Sequence, residues 1–287
     1  MLTKTIAALA ATLMFGYAGA AEHPAFKVDV TGSGAPIILI PGLGSSGSVW
    51  DATVARYCGK GKYQCHVLTL AGFAGQPAIK QPLLPAVEQQ LSAYLSEKKF
   101  DKPIIIGHSL GGYLGMKLAA DHPQQVGRLI IVDSLPALGA TQLPTITREQ
   151  LKQQAEGMRN MMKGQDAETF KANQLRTLRT MITKQEDIDR ALASGKASDR
   201  DTVIDSMTEL MAADLRDDIS RIKAPTLVLG TWVAYKDYAP KQAITAIYTA
   251  QYAKLPGVRV EMADNARHFI MYDDPAWMYD RIDNFLN

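Results

Sequence analysis

The chain has 287 residues, 31 Lys and Arg against 29 Asp and Glu, and 47% hydrophobic side chains, which describes a globular protein of one large domain or two small ones and excludes a disordered one. A formal charge of +2, with both signs spread along the chain, leaves no electrostatic footprint for nucleic acid. Two cysteines are too few for a disulfide scaffold or a four-thiolate zinc site.

Residues 1–21 carry Lys4, an apolar run from Ile6 to Phe15, and the small-residue pattern Ala18-Gly19-Ala20. This is the layout of a secretory signal peptide cut after Ala20 or Ala21, and it is shorter than the roughly 20 apolar residues of a membrane span. No later segment approaches a stable membrane-spanning run. Export places the product in the periplasm or outside the cell. There Cys58 and Cys65 either pair across the short loop between them or remain two inert small side chains, and the oxidising compartment favours the pair.

Phe26, Val28 and Val30 alternate with polar neighbours and predict a half-buried strand. Ile37–Ile40 is continuously apolar, as in a strand buried on both faces. A helix near 48–57, a strand over His66–Leu70, a helix near Pro85–Lys99 and a strand over Pro103–Ile106 follow. A helix from Ser109 to Ala120 and a strand over Leu129–Val132 continue the alternation. Strands alternating with helices imply crossovers and a mainly parallel sheet.

Between Asp133 and the next strand at Pro225–Leu229 no strand pattern occurs. Thr147-x-x-Gln150 and Thr183-x-x-Glu186 resemble capping boxes and Asp166 is a candidate N-cap, so three or four helices are expected. The sheet resumes with Val258–Met262 and closes on a helix from Pro275 to Leu286. The expected organisation is a signal peptide over 1–21, an α/β core over 22–133 and 225–287, and a helical cap inserted at 134–224. Six of the twelve methionines fall in the cap: Met158, Met161, Met162, Met181, Met207 and Met211. Most are expected to pack a core. One or two, with Met158 and Met162 as candidates, are expected to line a pocket together with Trp232.

Gly107-His108-Ser109-Leu110-Gly111-Gly112 follows a buried strand and opens a helix, which is G-x-S-x-G in its meaningful context. A turn this sharp strains the serine backbone and leaves its oxygen exposed over a helix N-terminus that favours a developing anion. Such a hydroxyl needs a base. Of the five histidines, His23 is near the mature N-terminus, His66 begins a strand, His108 adjoins the serine, and His122 ends a helix. His268, just past the last strand, is the remaining candidate.

These residues resemble the α/β-hydrolase family. The likeness rests on Ile40-Pro41-Gly42-Leu43-Gly44-Ser45-Ser46, on the serine turn, and on Ala266-Arg267-His268-Phe269 ahead of Asp274-Pro275. It implies an α/β-hydrolase fold with a helical cap, a Ser–acid–His order, and an oxyanion hole from the backbone N–H groups of Leu43 and Leu110. The sequence departs from the family at the acid. Many members carry Asp three residues after a glycine ending the strand that follows the cap, whereas Gly230 is followed by Thr231, Trp232 and Val233. Asp133 matches the position other members use and is preferred; Asp237 is the alternative.

Gly42-Leu43-Gly44-Ser45-Ser46-Gly47 also fits the dinucleotide fingerprint G-x-G-x-x-G. That reading needs an acid about 20 residues on, and no Asp or Glu occurs between Asp51 and Glu88. No cofactor and no metal are expected. The expected function is that of an exported serine hydrolase acting on a small-molecule ester or related acyl bond. Amide or peptide hydrolysis, lactone opening, perhydrolysis, and a non-catalytic binding protein of the same fold are the alternatives.

Overall fold

The computed structural model describes residues 23–287, so the expected signal peptide lies outside the described residues. Among the described residues seven strands form one sheet: β1 (Phe26–Gly32), β2 (Ala35–Ile40), β3 (Tyr63–Leu70), β4 (Ile104–His108), β5 (Arg128–Val132), β6 (Thr226–Thr231) and β7 (Arg259–Ala263). Their order is β1-β3-β2-β4-β5-β6-β7, with β1 antiparallel at the edge and every other neighbouring pair parallel. This is the expected α/β-hydrolase fold.

The two-residue period of a strand decides which side chains meet which layer of helices. Ile38 and Ile40 belong to the buried layer that also holds Leu91 of α2 (Leu83–Glu97), Leu114 of α3 (Leu110–Asp121) and, farther along the sheet, Ile244 of α8 (Lys241–Gln251). Ile37 and Leu39 point the other way, toward Tyr57 of α1 (Asp51–Tyr57) and Met278 and Ile282 of α10 (Pro275–Leu286). All four residues of Ile37–Ile40 are fully buried, which is why that stretch reads as continuously apolar. Each such side chain contributes about 1.5–3 kcal/mol of burial free energy.

Between β5 and β6 the chain forms α4 (Arg148–Lys163), α5 (Ala167–Met181), α6 (Gln185–Lys196) and α7 (Arg200–Ala212). Thr147 and Gln150 make the reciprocal capping box at α4, and Asp166 caps α5 through the Thr169 N–H. The box expected at Thr183 does not form. Its N–H and Oγ1 both donate to the Asp273 carboxylate at 2.9 Å, and α6 starts behind Lys184 without a side-chain cap.

These four helices are tied to the core. The Glu209 carboxylate on α7 accepts from the N–H groups of Leu83 and Leu84 at 3.2 and 3.0 Å, serving as the cap that α2 lacks locally. The turn between α6 and α7 is held by Asp199 N–H to the Gly72 carbonyl and Gly75 N–H to the Ala197 carbonyl, at 2.7 and 2.9 Å.

Strand order reverses between β2 and β4, because the chain leaves β2 toward β3 on one side and returns at β4 on the other. Loops that diverge there leave a crevice outside the carboxyl ends of the strands. The turns carrying Leu43 and Ser109 flank it.

Candidate active site

Ser109 sits between β4 and α3 with φ 52° and ψ −119°, a left-handed conformation that a residue with a Cβ adopts only under constraint. The constraint is visible: its N–H is held by the Val132 carbonyl at 2.9 Å, and Tyr113 N–H closes on its carbonyl at 3.1 Å. The flanking glycines permit the bend, since a Cβ at Gly107 would collide with the Gly111 backbone and one at Gly111 with the Ile40 carbonyl. Leu110 opens α3, so its N–H belongs to the first helical turn, which has no intrahelical acceptor. Leu43, in the turn after β2, lines the same cavity as Ser109.

His268 follows β7, and its Nδ1–H donates to Asp133 Oδ2 at 2.6 Å. Asp133 directly follows β5 with φ 47°, its N–H bonded to the Leu229 carbonyl at 2.7 Å. Its Oδ1 accepts from the Thr231 N–H at 2.8 Å and from the Tyr248 hydroxyl at 2.5 Å, and its Oδ2 also from Thr231 Oγ1 at 3.3 Å. A carboxylate that is only 9% exposed is thereby fully hydrogen-bonded. Of the two candidate acids it is Asp133 that meets His268; Asp237 is exposed in the loop beyond β6 and stands apart from this network.

Tyr248 and Asp273, which the sequence did not single out, and His108, which it set aside as the base, surround this pair. Burial first, and the Asp133 charge second, push the Tyr248 hydroxyl far above the usual phenol range, which makes it a permanent donor. His108 is fully buried, and its Nε2–H donates to the His268 carbonyl at 3.0 Å; burial, then the nearby His268, holds it well below the usual histidine range and therefore neutral. Asp273 accepts from the Arg267 N–H at 2.9 Å as well as from Thr183, and Phe269 N–H bonds the Met181 carbonyl at 3.2 Å. The loop bearing His268 is therefore fastened to the end of α5.

Ser109 and His268 line one cavity of about 270 Å³ together with residues of α4, α5, α6 and α7. A second, of about 480 Å³, meets the first at Leu43, Ser109, Met181, Met207 and His268 and adds Asp133 to its wall. Met162 lines the first cavity. Met158, one turn earlier on α4, is half-buried and lines neither, and Trp232 turns its Nε1–H to Asp264 at 2.9 Å instead of toward Ser109. Cys58 and Cys65 form a disulfide between the end of α1 and β3.

A nucleophile turn at the switch point of a mainly parallel sheet, with a histidine returning from beyond the last strand, defines the class of the α/β hydrolases. Residues 37–281 match the family model described as "Alpha/beta hydrolase family", and the chain belongs to that family and is a hydrolase. It is 25% identical over 266 residues to a pimeloyl-acyl-carrier-protein methyl ester esterase of Aeromonas hydrophila, covering 91% of this chain and 98% of the relative. A hydrolase from Pseudomonas aeruginosa has a similar structure, with a TM-score of 0.75 and 18% identity over 91% of this chain and 94% of the other. An esterase from Exiguobacterium antarcticum gives 0.73 and 17%, over 91% and 95%. Among the described residues no helix is long and apolar enough to cross a membrane.

Proposed function

We propose that the protein is an exported serine esterase that cleaves a small-molecule ester or related acyl bond through an acyl-enzyme. The observation that carries this reading is the 2.6 Å bond between Asp133 and His268 Nδ1, which leaves Nε2 for the cavity that Ser109 also lines. In this reading Ser109 Oγ attacks the carbonyl carbon while His268 Nε2 takes its proton. The backbone N–H groups of Leu43 and Leu110 receive the oxyanion. His268 then gives the proton to the departing alcohol, and water releases the acid by the same steps in reverse. Asp133 keeps the imidazole in the tautomer that needs Nε2 free. The esterase names among similar proteins support the choice of bond. The four helices between β5 and β6 serve as the cap over the site.

A fluorophosphonate is expected to label the wild type and not Ser109→Ala, and short p-nitrophenyl esters are expected to be hydrolysed by the wild type alone. Equal labelling of both would falsify the assignment. Export is supported by the leader-like residues 1–21 and by the disulfide between Cys58 and Cys65. It predicts a mature chain beginning near Glu22 in the periplasmic or extracellular fraction; a full-length chain retained in the cytoplasm would refute it.

A further inference from the structure

We infer, resting on the esterase reading above, that the substrate is an uncharged ester bulky on both sides of the scissile bond, with a flat aromatic group on one of them. Ser109 and His268 stand where the two cavities meet, so a bound ester is accommodated in both directions from the reacting carbon. A site serving a methyl ester would need only one.

Charge decides the next step. Neither lining contains a Lys, Arg or Glu, and the one carboxyl group, that of Asp133, already accepts from His268, Thr231 and Tyr248. A carboxylate or phosphate entering either cavity loses water and finds no Lys or Arg in the lining, while Arg200, stacked on Phe170 behind the smaller cavity, gives its guanidinium to the Met162 and Gln165 carbonyls. In the larger cavity such an anion also faces the Asp133 charge. The smaller cavity offers neutral partners instead, the carboxamides of Gln165, Asn173 and Gln174 beside Phe170.

The larger cavity is lined by Tyr235, Tyr238 and Tyr248. The large hydrophobic side chains that stand exposed among the described residues are Val30, Leu138, Leu143, Met161, Tyr235 and Tyr238; Leu138, Tyr235 and Tyr238 lie on this one cavity. Tyr238 is 89% exposed and Tyr235 52%, so no folding requirement accounts for them. Two exposed aromatic rings on one cavity offer offset and edge contacts to a planar guest.

The test compares 4-carbamoylphenyl butanoate with 4-carboxyphenyl butanoate at pH 8, a pair alike in shape that differs in charge, with methyl butanoate as the small ester. The expected result is a kcat/KM at least thirtyfold lower for the carboxylate, with the aryl amide preferred over methyl butanoate. Leu138→Arg should narrow the charge ratio about tenfold. Tyr238→Ala should raise KM for the aryl amide about tenfold more than for methyl butanoate. If wild type reacts with fluorophosphonate yet cleaves the charged and neutral aryl esters equally, or none of the three, this inference is overturned while the nucleophile assignment stands. Absence of fluorophosphonate labelling overturns the esterase reading and this inference with it.

Discussion

The Tyr248 hydroxyl donates to Asp133 Oδ1 at 2.5 Å, joining α8 to the end of β5 across 115 residues of sequence. It is one of the bonds that aim the carboxylate at His268. Tyr248→Phe removes the donor and keeps the ring, so kcat for p-nitrophenyl butanoate should fall about tenfold, the low end of what second-layer partners of a functional group contribute. KM should change little, and the stability loss should be about 1 kcal/mol. An unchanged kcat would mean that Thr231 alone orients the acid.

Asp133→Asn and Asp237→Asn separate the two acids considered from the sequence. Asp133→Asn leaves the packing but presents an amide to the imidazole, and kcat should drop by about 10³–10⁴. Asp237 is exposed in the loop after β6, and its variant should stay within about twofold of wild type. Equal, mild losses in both would remove Asp133 from the role.

Backbone strain at Ser109 has a thermodynamic signature. Glycine adopts φ 52° and ψ −119° without the Cβ conflict, whereas alanine keeps it. Ser109→Gly should therefore be more stable than Ser109→Ala by about 1 kcal/mol in urea titrations, while both are inactive. The reverse order would show that the turn is relaxed.

Acid sensitivity follows from His66, which is buried in β3 with Nδ1 against the Tyr94 hydroxyl at 2.7 Å. Burial, then Lys98, lowers its pKa from 6.5 to about 4. Between those values the unfolded chain binds the proton more readily, so this contribution to stability is complete above pH 6.5 and declines as the pH falls toward 4. His108, kept neutral by burial, acts with the same sign. Urea midpoints at pH 7 and pH 5 should differ less in His66→Gln than in wild type. An equal difference would exclude His66 as a source.

The sheet was legible because burial on both faces writes itself as unbroken apolar runs, as at Ile37–Ile40, and the elbow because its glycines are demanded by backbone approach. The acid was not decidable from spacing. What brings Asp133 to His268 is the left-handed turn at that residue together with donors from β6 and α8, groups that meet only after the sheet closes. Thr183 and Trp232 misled for one shared reason. Each had a plausible local role, and each gave its hydrogen-bond donors to a distant carboxylate, Asp273 for one and Asp264 for the other. Met158 and Met162 lie one helical turn apart on α4, yet only the latter reaches the cavity, a difference set by how α4 is rolled against its neighbours.

Asp273 grips both the Arg267 N–H and Thr183, so the loop that carries His268 and the turn between α5 and α6 share one fastening. A swing of those helices about that corner would move His268 relative to Ser109. Engineering that loosens this corner to admit larger guests would, on the esterase reading, displace the imidazole together with the helices.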